Sequence, residues 1–306
     1  MLKMENYKLE TLNECPLCHQ EVCSEAFIAG DRLKHSEEKF RLVKCLNCGL
    51  VFQNPRVKPE DINYFYRSEY FDKRPTDQKR NQIKSGIVQK YTNGPGNLLE
   101  IGSANGQFLH HMQLQGWYVE GVEPSSAGVK NAKEKFDIET VFEGNTIDRP
   151  ITDIKFDVVT MWAVLPHIHN PIETLKYISK VLKKDGLVVI TVVNVESAAA
   201  KIMKNNWGHL DQPRHYFMYS PDTVEKLLNQ CQIGIKDLFY HDDLWNSNIR
   251  FHKIKPLSYL NRNDFLQRVM NKADKIVTRP LNAWFRKRGK GGVMTIVGSK
   301  NQVIEQ

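Results

Sequence analysis

Five of the six cysteines fall within the first 48 residues, and four of them form two pairs, Cys15-Pro-Leu-Cys18 and Cys45-Leu-Asn-Cys48. A C-x2-C turn aims two thiolates at one point while backbone N–H groups face the sulfurs. Two such turns complete the tetrahedral S4 shell that suits Zn²⁺. Two disulfides are the weaker alternative in a reducing compartment, and neither pair opens a helix after a strand, as a redox C-x-x-C should. A metal held by Cys15, Cys18, Cys45 and Cys48 leaves no open position for a catalytic water, so this zinc is expected to be structural. Cys23, His19 and His35 are read as bystanders.

The second chemical constellation starts at Asn97, where LLEIGSANGQFLHHMQLQGWYVEGVEPS reads as an apolar strand, a glycine turn, a helix from about Gln107 and a second strand ending at Glu123. Gly102 supplies the tight turn, and Gly106 lets the helix start lie close to a ligand. A dinucleotide fingerprint needs G-x-G-x-x-G, whereas here the pattern is Glu100-x-Gly102-x-x-x-Gly106, which disfavours nicotinamide cofactors. Glu123 follows at the distance where a carboxylate can accept both hydroxyls of a ribose.

These residues, with LLEIGSANGQFL followed by GVEPS, closely resemble the first two motifs of class I S-adenosylmethionine-dependent methyltransferases. EGNTID (143–148) resembles the end of that family's third strand, FDVVTMWAVLPHIHNP (156–171) its fourth strand and loop, and LKKDGLVVITVVN (182–194) its fifth. The resemblance covers about 95–240 and resumes at GGVMTIVGSK. It implies that Glu100, Gly102, Ser103 and Gly106 surround the methionine part of the cofactor, Glu123 its ribose, and Asn145 with Thr146 the adenine edge, with Trp162 completing the set. It departs from the family at Ala104, where a middle glycine is usual, at Asn145, where an acid is usual, and at Pro166, where relatives often carry Glu before His167.

Methyl transfer from a sulfonium is an in-line displacement, so the protein mainly aligns the reactants and adds a base where the acceptor is a poorly acidic hydroxyl. Two histidines are the candidates for that catalytic role. His167 lies in the loop after strand four, and His215 in WGHLDQPRHYFMYS, which resembles the acceptor-facing segment after strand five. Both are equally open to a structural reading, bonding a carbonyl or capping a loop. The combination of cysteine ribbon, tyrosine-rich linker and core resembles enzymes that methylate sugars, nucleotide sugars or other small metabolites. Ribosomal RNA methylation is the second enzyme reading, and a non-catalytic zinc-ribbon protein that binds adenosylmethionine is the third.

The elements that must position these groups follow from local pattern. Asn170, Pro171 and Glu173 signal a helix start with a capping side chain, and Ile172, Leu175, Ile178 and Leu182 recur at helical spacing until Gly186. Ser220-Pro221 repeats the device. Strands alternating with helices imply an α/β fold with a doubly wound, seven-stranded Rossmann-like sheet whose ligand sits at the carboxyl ends of the strands. The family resemblance makes the last strand, Val293 to Gly298, antiparallel. The expected organisation is a zinc ribbon over 1–58, a helical linker over 59–94 with Tyr64, Tyr66, Tyr70 and Phe71 packing on the next domain, a methyltransferase domain over 95–243 and 291–306, and an insert over 244–290.

That insert carries the charge. It holds 12 of the 43 Lys/Arg residues against Asp264 and Asp274, so it is +10 while the rest of the chain is −2, although the whole is +8. Within it Phe265, Leu266, Val269, Met270, Ala273, Ile276 and Val277 fall on one helical face, a basic amphipathic pattern. This pattern fits either packing on the core or a partner subunit, or peripheral contact with an anionic membrane through 262–288. Without a basic track toward the cofactor, RNA is the less favoured partner. No apolar stretch approaches the roughly 20 residues of a membrane span, and the charged start lacks a signal peptide's apolar centre, so a cytoplasmic location is expected, with peripheral contact at the inner membrane face.

Overall fold

A computed structural model of the chain describes residues 7–66, 77–241 and 274–300, with the isolated positions 268 and 272. Tyr70, Phe71 and the segment of the insert from Phe265 to Ala273, apart from Arg268 and Lys272, lie outside the described residues. The chain divides into two compact units, one of residues 1–65, 193–223 and 239–294, the other of 66–192, 224–238 and 295–306.

The second unit is built on a seven-stranded sheet. Its strands are β6 (Asn97–Ile101), β7 (Tyr118–Glu123), β8 (Val141–Glu143), β9 (Phe156–Trp162), β10 (Leu182–Val193), β12 (Ile233–His241) and β13 (Val293–Lys300), in the order β12-β13-β10-β9-β6-β7-β8. β6 pairs in parallel with β7 and β9, β7 with β8, and β10 with β9. β9 is buried almost end to end, as the unbroken run FDVVTMW requires of a central parallel strand covered on both faces. Thr191 Oγ1 lies 2.7 Å from Thr295 Oγ1, and Asn194 N donates to Gly292 O at 2.9 Å. Partners thus advance on one strand as they retreat on the other, and the last strand is antiparallel to β10, as expected.

Helices α1 (Gln78–Lys90), α2 (Gln107–Gln113), α3 (Ser126–Phe136), α4 (Pro171–Val181) and most of α6 (Pro221–Gln230) belong to this unit. α4 starts at Pro171 as its sequence signals, but Asn170 makes no side-chain capping bond. Its Oδ1 lies 3.3 Å from His169 Nδ1 instead. Nor does the helix run to Gly186. It ends at Val181, and β10 begins at Leu182 with a register shift before Leu187, because Gly186 lies so close to the Phe156 carbonyl that a Cβ there would approach it to 2.8 Å. Arg149, buried, donates to Tyr177 Oη at 2.7 Å and pairs with Glu120, tying α4 to β7.

The first unit holds the paired strands β1 (Leu9–Glu10) and β5 (Arg56–Val57) and a four-stranded antiparallel sheet. That sheet is made of β2 (Cys23–Gly30), β3 (Lys39–Cys45), β4 (Val51–Gln53) and the later β11 (Phe217–Met218), with α5 (Ala198–Met203) among the helical elements of the same unit. The linker aromatics behave differently from expectation. Pro59–Phe65 is a 3₁₀ helix, and Tyr64 and Phe65 pack with Tyr7 and Phe40 of this same unit, because Phe65 fills the apolar gap over Val57.

One buried charge cluster organises the rest. Arg214, 1% exposed, donates through Nη1 to Asp31 Oδ1 at 2.9 Å and through Nη2 to Asp211 Oδ1 at 2.8 Å. Asp31 in turn accepts from the backbone N–H of Leu33 and His35. Removing one partner of such a pair leaves an uncompensated buried charge. Arg214→Leu should therefore lower stability by about 3–5 kcal/mol in urea unfolding, and Arg214→Lys should recover little of it, since an ammonium cannot bridge two carboxylates with a planar fork.

Candidate functional site

The four cysteine sulfurs of Cys15, Cys18, Cys45 and Cys48 lie within 4.8 Å of one another, with Cys15–Cys48 and Cys18–Cys45 each at 3.5 Å. Zn–S bonds of about 2.3 Å at tetrahedral angles place sulfurs roughly 3.8 Å apart, so the donor set fits Zn²⁺. The turns explain why the sulfurs converge. His19 N and Gly49 N each close a turn onto the first cysteine of their pair, and both His19 and Gly49 take the left-handed backbone that ends such a knuckle. Burial pushes the Cys15 and Cys48 thiols up, the latter to about 11. Cys18, against its own desolvation, is held at about 6 by hydrogen bonds from Asn47 and the backbone of Gln20. Cys23 stands opposite Cys45 in the β2–β3 ladder and outside the cluster; His19 pairs with Glu14 instead.

The other site lies wholly in the second unit, at the carboxyl ends of β6 to β9. Between β6 and α2 the backbone turns left-handed three times in five residues, at Gly102 (φ +69°), Ala104 (+51°) and Gly106 (+76°). This coil leads Ala104 N to Glu123 Oε2 at 2.7 Å, while Ser125 N donates to Glu123 Oε1 at 2.9 Å. Glu123 is therefore buried and oriented by main chain. The space is kept by small residues. A Cβ on Gly128 would come within 2.8 Å of the Ala104 carbonyl and 2.9 Å of Glu123 Cγ, and one on Gly106 within 2.8 Å of Ala132.

Glu100, buried at the end of β6, is 3.7 Å from the Lys84 ammonium, which stands 5.0 Å over the Phe108 ring and 5.4 Å over Trp162. Trp162 and Phe108 meet edge to face at 5.5 Å, and the buried Trp162 Nε1 has no hydrogen-bond partner among the described residues. Asn145 donates Nδ2 to Asp148 Oδ2 at 3.0 Å, which turns its amide oxygen to the other side, and Thr146 is buried beside it. Ser103 is the exception in this set. Its hydroxyl packs against Gly121, where a Cβ would lie 2.7 Å away, so it offers a ligand backbone rather than side chain. A buried carboxylate beside an ammonium, an aromatic wall with a free N–H, a second carboxylate and an amide oxygen fit the amino acid, sulfonium, ribose and adenine of S-adenosylmethionine. Sequence reasoning missed Lys84, because no spacing rule links a residue on a preceding helix to the end of β6.

His167, after β9, places Nδ1 2.8 Å from Tyr66 Oη. Tyr66 is the one linker tyrosine shown to face a candidate catalytic group. His215 belongs to the first unit, is buried, and has Nδ1 2.9 Å from the His209 carbonyl. A carbonyl only accepts, so Nδ1 donates in this bond.

Comparison with known proteins agrees with this chemistry. Residues 76–232 match a family described as a methyltransferase domain. An uncharacterized methyltransferase of Alkaliphilus oremlandii is 27% identical over 143 residues, 44% of this chain and 66% of that protein. The chain thus spans just under two thirds of it. A ubiquinone biosynthesis O-methyltransferase of Maricaulis maris is 25% identical over 213 residues, 61% of this chain and 84% of that protein. In fold, the chain resembles one solved in the complex of the Haloferax volcanii Trm112 methyltransferase activator with a methyltransferase. The TM-score is 0.54 at 15% identity, covering 78% of this chain and 95% of that one.

Three outcomes follow. The purified wild type should release zinc on thiol titration with a colorimetric chelator, and Cys45→Ser should release none. Ala104→Gly should raise the thermal midpoint, because relieving a left-handed alanine is worth about 1 kcal/mol, without weakening cofactor binding. Gly128→Ala should push Glu123 and the Ala104 carbonyl apart and reduce cofactor affinity measured by calorimetry at least tenfold, about 1.4 kcal/mol.

Proposed function

The chain belongs to the methyltransferase-domain family, and from that premise we propose that it is an S-adenosylmethionine-dependent enzyme that methylates a hydroxyl of a small metabolite, a sugar, nucleotide sugar or related glycan-pathway compound. The observation that carries this reading is the main-chain bond that fixes the His215 ring with Nδ1 as donor, which makes it a candidate base for a hydroxyl too weakly acidic to lose its proton unaided. Two further features support it. Outside 244–290 the chain is −2 overall, which offers a polyanionic RNA no track. A relative spanning most of its own length is named for O-methylation in ubiquinone biosynthesis, so hydroxyl acceptors occur among proteins of this type.

The geometry supports the following division of labour. Glu100 takes the ammonium of the cofactor's amino acid and Lys84 its carboxylate, so that the existing ion pair opens to receive a zwitterion of matching polarity. Glu123 accepts the ribose hydroxyls, and the Asn145 amide oxygen accepts from the adenine amino group. Trp162 and Phe108 wall the site and exclude water. The bound cofactor supplies an electrophilic methyl on sulfur. His215 and His167 are the candidate bases, the latter bonded to Tyr66. The four-cysteine cluster holds a structural zinc.

Incubation with a methyl-labelled donor and separate panels of nucleotide sugars and RNA tests the reading. Label is expected in a small molecule. His215→Ala should lower kcat on the order of a hundredfold or more while leaving cofactor affinity unchanged. Wild-type turnover in that variant removes His215 from the mechanism, and label recovered in RNA overturns the acceptor class.

A further inference from the structure

Helix α7 (Arg279–Lys287), preceded by the π-helical turn Asp274–Thr278, has its apolar residues on the wrong side for a helix that ends at the protein core. Thr278 and Asn282 are buried, and Phe285 packs on the hydrophobic cluster around Trp207 and Val293 of the same unit. The neighbouring stripe carries larger apolar groups yet faces water, with Val277 50%, Leu281 39% and Trp284 47% exposed, flanked by Ile276 at 65%. Spacing of four, three and four places Val277, Leu281, Trp284 and Arg288 in one line, and the Arg288 guanidinium lies 4.2 Å over the Trp284 ring. From Lys275 to Lys300 the chain contains no acidic residue. Lys287 and Arg288 are exposed, whereas Lys290 is within 3.9 Å of Glu196.

We propose that this face is a docking surface for anionic phospholipid, entering the headgroup layer with Trp284, Leu281, Val277 and Ile276 while Lys287 and Arg288 meet phosphates. The pattern is that of an interfacial helix, with an aromatic and aliphatic stripe on one side and cations that reach outward along their own stems. The chemistry separates this occupant from its rivals. A nucleic acid would use the cations and Trp284 but has nothing for three exposed aliphatic side chains. A second copy of the chain would cover the aliphatics only by facing its own basic residues with identical ones, since no acid lies on this segment. A bilayer with negative headgroups satisfies both kinds of group together, and it brings the enzyme to acceptors carried on lipid. The surface is independent of the proposed acceptor, so either can fail alone.

The test is co-sedimentation of the full-length, zinc-loaded protein with vesicles of phosphatidylcholine containing phosphatidylglycerol, compared with pure phosphatidylcholine. Binding is expected only to the anionic vesicles and should fall as salt shortens the Debye length from about 10 Å toward 3 Å. Lys287→Gln with Arg288→Gln should weaken partitioning on the order of twentyfold, and Trp284→Ser with Leu281→Ser should weaken it comparably. Both variants should keep cofactor affinity and zinc content. Absence of binding to anionic vesicles at low salt overturns the proposal, as does binding that neither double variant reduces. A sedimentation coefficient showing a dimer that Trp284→Ser dissolves, or variant-sensitive binding of an RNA oligonucleotide that displaces the vesicles, overturns it in favour of those partners.

Discussion

The main-chain bond from Ala104 N to the Glu123 carboxylate is the contact on which the candidate cofactor site depends. It exists because a strand must become a helix within five residues, and only a left-handed detour lets the chain do so while keeping its N–H groups turned toward β7. The detour decides everything nearby. It fixes where α2 begins, how close α3 approaches at Gly128, and which way Glu123 points. Alanine at one of its three left-handed positions is a local strain of about 1 kcal/mol, accepted where packing over-determines the backbone.

Electrostatics in the two units follow opposite strategies. At Arg214 a buried guanidinium bridges the buried Asp31 and the partly exposed Asp211, an arrangement that specifies one loop geometry. At Glu100 and Lys84 the pair is longer, at 3.7 Å, and roofed by aromatic faces. The cysteine cluster is a third case, in which four thiols would release their protons to solvent and bind the proposed zinc as thiolates.

Much of this was legible in the sequence, and what was not has physical reasons. The cysteine spacing, the turn from Glu100 to Gly106, the element order and the antiparallel last strand could be read because each is fixed by short-range backbone needs or by motif. The side-chain cap on Asn170 and the helix expected to reach Gly186 were not found. Capping depends on a rotamer that a neighbouring His169 can capture, and the helix end depends on how near Phe156 lies. The packing of Tyr64 and Phe65 on Tyr7 and Phe40, the pairing of Phe217 with Phe52, and the approach of Lys84 to Glu100 join residues far apart in the chain. Such long-range pairings leave no periodic trace.

The bond that orients His215 comes from the peptide group of residue 209, not from its imidazole. No exchange of the side chain there removes the carbonyl itself, so sequence drift at that position leaves the acceptor in place. Its vulnerability is metrical instead: inserting or deleting a single residue between 209 and 215 would carry the carbonyl out of reach, and the loop's length, more than its lettering, is what heredity must preserve.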